Sequence, residues 1–240
     1  MKKSILALFL LFISLSYAQP NNRWSAYGFN VSVENEVKLM EHMNEYFSNH
    51  KTDGTTVNLY KIMYAPAELQ MTHTVVITGS VDSMSENYDM SNIDDEWVEF
   101  VTQVDKIVEP VFQGNGGRNF IFEDENKTYP YSVVTILDAD NENLRKWRSN
   151  TRSLRTKYPR TKSSFSTGWI SVGGPANGAN AWFVNGYQSY RDYLTSFNDR
   201  QKFFKDNPDF VNEREELNEK VDYSKFDMKM KFMRFLVKSW

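Results

Sequence analysis

The sequence predicts an α+β fold made of two tandem copies of one strand-helix-strand-strand-helix-strand unit. Three observations support this. Residues 26–122 show strand and helix patterns in this order, and the same order returns over residues 131–236. Core positions of the first half also fall on core-type residues about 107 positions later. The chain is therefore predicted to be an internal duplication.

The first copy is defined by its hydrophobic periodicity. Tyr27 and Phe29 alternate with small or polar residues, as in a half-buried strand. The next segment has apolar residues at three- and four-residue steps and begins with Glu34, which the helix dipole favours. Two β-branched and aromatic runs flank Pro66 and predict a hairpin. The six elements are expected at residues 26–33, 34–49, 56–65, 72–79, 94–111 and 119–122.

The second copy repeats this order after a polar linker over residues 123–130. A glycine-rich breaker from Gly173 to Gly178 predicts its hairpin turn. Pro208 is expected to divide its last helical stretch, because the residue before a proline is disfavoured in a helix. Its elements are expected at residues 131–138, 141–158, 164–172, 181–186, from 189 onward, and 226–236.

A constant offset of 107 aligns the two copies without gaps. It places Tyr27 on Val134, Ile62 on Trp169, and His73 on Asn180. The sequence therefore predicts equivalent roles for these pairs in a first unit at residues 19–122 and a second unit at residues 131–240.

A unit of this order is the ferredoxin-like arrangement, in which four antiparallel strands carry two helices on one face. The other face must also be covered, and two units do so by packing sheet to sheet. On these elements, residues 27–122 and 134–236 resemble a fused pair of units from the dimeric α/β-barrel superfamily. The resemblance implies a single-chain barrel. It leaves activity open, because the superfamily includes antibiotic-biosynthesis-type monooxygenases, chlorite dismutase-like and haem-degrading proteins, and stress-response members.

The amino terminus predicts export. Lys2 and Lys3 precede a short apolar run, and Ser16 and Ala18 supply the small residues of a cleavage site. We expect a signal peptide over residues 1–18 and a periplasmic or secreted protein of the Gram-negative type, with no stable membrane insertion after cleavage. An uncleaved anchor is the alternative.

Composition excludes several classes of function. The chain has no cysteine, which rules out disulfides, thiolate metal sites and cysteine nucleophiles. A net charge of −3 gives no indication of nucleic-acid binding, and an aromatic content of 15% is typical of a packed protein. The oligomeric state is left open.

Residues able to do chemistry are few. His42 and His50 lie on the first helix without metal-ligand spacing, so they are interpreted as solvated helix residues and no metal site is predicted. His73 opens the third strand and is a candidate general base, with Asn30 as a second candidate catalytic residue. The resemblance makes haem a candidate cofactor, with Asn30, Trp97 and His73 as the residues around it. The histidine, however, would be on a strand rather than on a helix.

Large aromatic side chains are candidates for lining an internal ligand cavity, with simple core packing as the alternative. These are Tyr60, Tyr64, Trp97, Trp169 and Trp182.

A basic stretch runs from Arg145 to Lys162 without an acidic residue, whereas residues 86–109 are acidic. The two stretches could face one another between the units, or the basic helix could bind an anion or an acidic partner. The residues predicted for such a surface are Arg145, Arg148, Arg152 and Arg155.

Together these patterns predict an exported protein that binds a small apolar or anionic ligand. Two alternatives remain. One is a monooxygenase-like enzyme of the antibiotic-biosynthesis or haem-degrading type, and the other is an interaction protein that uses its basic helix. Whether the protein is an enzyme stays undecided at this stage.

Overall fold

The computed structural model describes residues 22–160 and 162–240, so the predicted signal peptide lies outside the described residues. The first unit comprises β1 (Arg23–Val31), α1 (Glu36–Phe47), β2 (Thr55–Tyr64), β3 (His73–Gly79), α2 (Val81–Asn87), α3 (Asp95–Asp105) and β4 (Val108–Phe122). The second comprises β5 (Tyr131–Ala139), α4 (Asn141–Lys157), β6 (Ser163–Gly173), β7 (Ala181–Tyr187), α5 (Tyr190–Asp206), α6 (Pro208–Asn218) and β8 (Phe226–Ser239). The predicted division of the last helical stretch at Pro208 is confirmed.

The eight strands form one closed antiparallel barrel in the order β1-β3-β2-β8-β5-β7-β6-β4. Within each unit the fourth strand lies beside the first, followed by the third and second, which is the ferredoxin-like order. The two sheets join at both edges, where β2 pairs with β8 and β4 pairs with β6. The predicted fold of two tandem ferredoxin-like units is confirmed, and the edge pairing encloses a lumen between them.

The pairing register sets the true offset of the duplication at 108 residues for the first three strands. Arg23 pairs with Gly79, and their counterparts Tyr131 and Tyr187 pair in the same way. The predicted offset of 107 is therefore wrong by one residue on the strands. Because successive strand side chains point to opposite faces, that slip equates residues on opposite sides of the sheet. His73 corresponds to Ala181 and not to Asn180.

The fourth strands share an irregularity that supports the duplication. Where β1 pairs with β4, the register skips Val111. Where β5 pairs with β8, it skips Lys229, which lies 118 residues later. The bulge thus falls at the same place in both units. The change of offset from 108 to 118 means that the second unit has ten additional residues between its third and fourth strands.

Strand β4 is longer than predicted. The helix predicted over residues 94–111 is α3, which ends at Asp105, and β4 begins at Val108 and not at residue 119. Its glycines weakened the sequence signal, but the fold needs them. A Cβ at Gly117 would lie 2.2 Å from the ring of Trp169, and one at Gly116 would lie 2.8 Å from the ring of Trp24. The short helix α2 was also missed.

Two apolar layers hold the barrel. On the helix side of the first unit, α1 packs against β2 and β3 through Leu39, Met43, Phe47, Val57, Leu59, Val75 and Ile77. Inside the lumen, side chains from both sheets form a second cluster that includes Ile62, Phe112, Val134, Ile136, Trp182 and Phe232. Leu69 and Met71 from the β2–β3 loop pack into this cluster, so the loop fills one end of the lumen. Within the described residues, every helix is too short or too polar to cross a bilayer.

Candidate functional site

A cleft of about 730 Å³ lies on the outer face of the first unit. Its floor is formed by β1 and β4, with side chains from Arg23, Ser25, Tyr27, Gln113 and Asn115. One wall is α2 with the residue that follows it, through Val81, Met84, Ser85 and Tyr88, and the other is the end of β6, from Ser171 to Gly173. The cleft is therefore open on one side and mixed in polarity.

The wall formed by α2 is positioned by local sequence. Ser80 caps the helix, because its hydroxyl oxygen accepts a hydrogen bond from the backbone N–H of Ser83 at 3.1 Å. Ser83 and Met84 are buried against the sheet. Gly79 allows this approach, since a Cβ there would lie 2.6 Å from the Ser83 hydroxyl. The helix is thereby fixed close to β1, and the cleft opens between it and β6.

Arg23 is the one charged residue among the described residues that line the cleft. Its guanidinium carbon lies 5.2 Å from the centre of the Trp169 ring, which is the distance of a cation–π contact. In the described part of the chain, Arg23 forms no ion pair with a carboxylate. One end of the cleft therefore carries an uncompensated positive charge above an aromatic surface.

Two tyrosine hydroxyls meet at the α2 wall. The hydroxyl oxygens of Tyr27 and Tyr88 lie 2.8 Å apart. Burial raises the pKa of Tyr27 far above its usual value, and the hydrogen bond with Tyr88 adds to the increase. Tyr27 therefore remains protonated and is suited to donating a hydrogen bond and not to accepting a proton from a substrate.

The chemistry available in the cleft favours binding over proton abstraction. The described residues that line it include no histidine, aspartate, glutamate or lysine. Gln113 and Asn115 supply amide donors and acceptors, while Val81, Met84 and the tyrosine rings supply apolar surface.

The two predicted catalytic residues lie on opposite faces of the sheet. His73 is buried on the helix side, where its ring stacks on Phe29 with 6.1 Å between centres and its Nδ1 lies 3.0 Å from the Thr72 hydroxyl. Burial lowers the pKa of His73; the carboxylate of Glu36 opposes this shift, and the positive charge of Lys61 adds to it. Strand alternation turns the half-buried Asn30 toward the lumen. The two side chains do not converge, and their catalytic role stays a prediction.

The five predicted ligand-binding aromatics are also dispersed. Tyr60 and Trp182 face the lumen, whereas Trp169 lies outside the barrel beneath Arg23. Tyr64 is exposed, and its hydroxyl lies 2.9 Å from that of Tyr190 in the second unit. Trp97 packs on α3 between the helices, 5.5 Å from the ring of Tyr46. No single cavity in the described structure brings all five together.

The arginines of the basic helix divide into two groups. Arg145 and Arg152 are exposed. Arg148 donates a hydrogen bond to the backbone carbonyl of Gly168, and the Arg155 guanidinium lies 4.2 Å from the centre of the Phe165 ring. Burial lowers the pKa of both. Two of the four predicted surface arginines are thus exposed, and their role in binding an anion or partner stays a prediction.

The ion pairs of the basic stretch stay within the second unit in the part of the chain that the structure describes. They join Lys146 to Glu142, Lys157 to Glu213, and Lys162 to Asp199. The acidic helix α3 instead contacts the first unit's own α1, and just beyond the end of α1 the Nε2 of His50 lies 2.9 Å from a carboxylate oxygen of Glu96. The expected pairing of the basic stretch with the acidic stretch is not seen.

His73, the predicted haem ligand, is not placed to hold a haem in the cleft. His73 lies between the sheet and α1, outside the lining of the cleft, and one of its nitrogens contacts Thr72. The described residues also contain no group of three or more histidine and acidic side chains placed to hold a metal ion. No step of a mechanism is therefore assigned to haem.

Most residues of the cleft on α2 and β4 were missed because the sequence predicted no element over residues 80–93 and 112–118. The segment from Gln113 to Gly117 carries glycine at every second position up to Gly116, which is compatible with a strand whose small side faces large rings. That alternation was the available signal.

Comparison with known proteins finds similar structures but no similar sequence. No family model and no curated protein matches the chain. An anthrone oxidase-like protein superposes with a TM-score of 0.57 at 10% identity, covering 93% of this chain and 94% of that one. A candidate monooxygenase from Fusobacterium nucleatum superposes with a TM-score of 0.58 at 14% identity, covering 92% and 94%.

A candidate chlorite dismutase superposes with a TM-score of 0.52 at 9% identity, covering 92% of this chain and 96% of that one. The chain has the dimeric α/β-barrel fold. Because these identities are low, the likeness establishes the fold and leaves activity to be argued from the site. Both units of this dimeric α/β barrel are included in the superpositions.

Proposed function

We propose that this protein binds a small amphipathic anion in the outer cleft of its first unit. The observation that carries the proposal is Arg23, which is the one charge in the described lining and has only the Trp169 ring as a close partner. A carboxylate or sulfonate of a ligand would form a charge-assisted hydrogen bond with this guanidinium. The aromatic body of the ligand would lie between Met84 and the tyrosine rings.

A pair of fluorescent probes tests this. Anilinonaphthalene sulfonate carries an aromatic body and a negative charge, whereas N-phenylnaphthylamine has a similar body without the charge. The wild-type protein is expected to bind the sulfonate more tightly. Arg23→Gln should weaken sulfonate binding by about tenfold and leave the neutral probe nearly unchanged, because a charged hydrogen bond contributes about 1.5–3 kcal/mol.

Two controls make the result specific. Arg145→Gln removes an exposed arginine outside the cleft and should leave both probes unaffected. Ser85→Trp should block the cleft and weaken both probes. Equal binding of the sulfonate to the wild type and to Arg23→Gln would contradict the proposal.

Oxidation of an oxygenated aromatic is the second candidate function. It is supported by the fold likeness to an anthrone oxidase-like protein and by the paired hydroxyls of Tyr27 and Tyr88 in the cleft. Oxygen uptake in the presence of anthrone tests it, with Tyr27→Phe as the variant. Uptake by the wild type that is lost in Tyr27→Phe would make the protein an enzyme, and no uptake by either would leave binding alone.

A haem titration tests the cofactor prediction. Because His73 is buried away from the cleft, the Soret band of added haem should be the same with the wild type and with His73→Ala. A saturable shift that requires His73 would restore the haem interpretation.

Export is proposed from residues 1–18 alone. The measurement is the mass of the protein recovered from the periplasm or medium of an expressing Gram-negative cell. A mature chain that begins at Gln19 is expected, and an intact N-terminus would support an uncleaved anchor.

A further inference from the structure

A polar cluster lies inside the barrel, on the opposite side of the sheet from the outer cleft. Arg234 of β8 projects between β2 and β5, and its guanidinium carbon lies 3.8 Å from the centre of the Tyr60 ring. Its Nε donates a hydrogen bond to the hydroxyl of Ser132 at 3.1 Å. The side chain is half-buried, so solvent still reaches it.

Both of these partners of Arg234 are neutral. Within residues 22–160 and 162–240, no carboxylate lies within ion-pair distance of Arg234, and its two terminal nitrogens form no hydrogen bond. Desolvation lowers the pKa of this arginine, and Tyr60 opposes the shift only in part. An unpaired cation in such a position is costly, and most proteins compensate it with a nearby anion.

Other polar groups face the same lumen. Arg118 of β4 follows Gly117, which is covered on the outside by Trp169, so strand alternation turns Arg118 inward. Burial lowers its pKa as well, and the carboxylate of Glu123 opposes that shift. The indole nitrogen of Trp182 is buried, also faces the lumen, and has no partner in the described structure. The lumen therefore holds two cations and an unused donor.

The internal duplication shows that this cluster is not required by the fold. Arg234 and Ser132 correspond to Gly116 and Trp24 of the first unit, at offsets of 118 and 108. There the indole of Trp24 lies over Gly116 and fills the space. Tyr60 corresponds likewise to Gly168, which is covered by the ring of Trp182. The same backbone is packed with apolar rings in one place and carries an arginine in the other.

We propose that the lumen binds a small oxyanion, a carboxylate or a phosphate, at Arg234 beside Tyr60 and Ser132. The anion accepts hydrogen bonds from the two free terminal nitrogens of the guanidinium, which present the fork geometry that oxyanions match. Arg118, on the far side of the lumen, adds positive potential. This site is separate from the outer cleft and does not depend on the function proposed for it.

Thermal unfolding and titration calorimetry test this site on the purified protein. Phosphate and succinate are each added in place of chloride at constant ionic strength. At least one should raise the unfolding temperature saturably at concentrations on the order of 10 mM, because binding only to the folded state stabilises it. A rise in unfolding temperature with phosphate alone would identify a tetrahedral anion as the ligand, and a rise with succinate alone would identify a carboxylate.

Variants locate the bound anion. Arg234→Gln should weaken anion binding by roughly tenfold, as expected when a charged hydrogen bond is lost. Arg118→Gln should weaken it by less, and the exposed Arg145→Gln should have no effect. Arg23→Gln, in the outer cleft, should also leave it unchanged, which separates this result from that of the probe experiment.

Two results would overturn the proposal. One is a wild-type unfolding temperature that neither phosphate nor succinate raises above its value in chloride. The other is an anion effect that persists unchanged in both Arg234→Gln and Arg118→Gln. If Arg234→Gln does not fold, Arg118→Gln and Ser132→Ala decide the outcome, since both are expected to weaken binding.

Discussion

Two regions of the lumen wall occupy equivalent positions in the duplicated fold but are built from different side chains. In one, Trp24 covers Gly116 and Trp182 covers Gly168. In the other, Ser132 takes the place of Trp24 and Arg234 takes the place of Gly116. Tyr60 likewise takes the place of Gly168. The difference shows that each of these two indole rings packs over a glycine on the neighbouring strand. Where arginine or tyrosine replaces the glycine, the lumen wall is lined by the polar side chains of Arg234, Tyr60 and Ser132 instead.

The helix-covered outer faces of the two units also differ in their side chains. The first unit has the short helix α2 directly after β3, where it forms a wall of the cleft, and covers its sheet with aliphatic side chains such as Leu39. In the second unit the helix that follows β7, α5, is longer and runs from Tyr190 to Asp206, and part of the sheet is covered by Arg155 over Phe165. The duplication thus conserves strand pairing more strictly than it conserves the chemistry of the surfaces.

The largest expected effect is that of breaking the indole-filled region. Trp182→Ala should lower the free energy of unfolding by about 4 kcal/mol, because it removes a large ring from the lumen cluster and leaves a cavity. Urea denaturation measures it. Val172→Ala, on the neighbouring strand at 68% exposure, should cost less than about 0.5 kcal/mol. A loss in Trp182→Ala as small as that of the control would contradict the packing argument.

A single added methyl group tests the requirement for glycine. In Gly168→Ala the new Cβ would lie 2.0 Å from the carbonyl oxygen of Gly117 and 2.5 Å from the ring of Trp182. The expected loss is about 2–3 kcal/mol in the same assay. Tyr60→Phe, at the equivalent position, keeps the ring and should cost less than about 1 kcal/mol. Similar values for the two variants would mean that the regions are not packed differently.

The helix caps test whether the two units are stabilised alike outside the lumen. Asp94 accepts a hydrogen bond from the backbone N–H of Trp97 at 2.7 Å, and Ser189 accepts one from Asp192 at 3.1 Å. Asp94→Ala and Ser189→Ala should each cost about 1 kcal/mol. Asp94→Ser and Ser189→Asp retain an acceptor and serve as matched controls. A cost confined to one unit would show that the two long helices contribute unequally.

The smallest effect is a pH dependence that belongs to the first unit, since His73 has Ala181 as its counterpart. Burial lowers the pKa of His73 in the folded protein below its ordinary value of 6.5. The unfolded chain therefore takes up the proton first as pH falls through 6.5, so this contribution to stability is complete above 6.5 and is lost below it. The free energy of unfolding of wild type should fall more steeply between pH 7 and 5 than that of His73→Phe. Parallel curves for the two proteins would contradict this sign.

Much of the fold was predictable because its signals are local. Periodicity identified most strands and helices, and Pro208 marked the break between α5 and α6. The start of β4 was not predictable in this way, since residues 106–112 continue an amphipathic pattern and the following glycines resemble a loop. The strand exists because β1 and β6 supply hydrogen bonds on both of its edges.

The candidate sites were predicted less well. Tyr60 was identified as a lumen residue, but its partner Arg234 is 174 residues away in the sequence and meets it only through the pairing of β2 with β8. Arg23 was not identified, because its significance depends on the cleft that α2 forms beside it. A lone arginine in a sequence carries no sign of whether a carboxylate will lie nearby.

The sequence by itself determined the types and order of the elements and the existence of the duplication, because hydrophobic periodicity acts within single segments. The tertiary structure decided the register, which differs by one residue from the best match of sequence patterns. This one-residue difference in register decides whether a side chain such as Trp169 is expected in the lumen or on the exterior, since strand side chains alternate. The positions of Arg23 and Arg234 were likewise decided by pairing between distant strands. The free-energy cost of an unpaired charge depends on the side chains and solvent around it, and only the tertiary structure sets these.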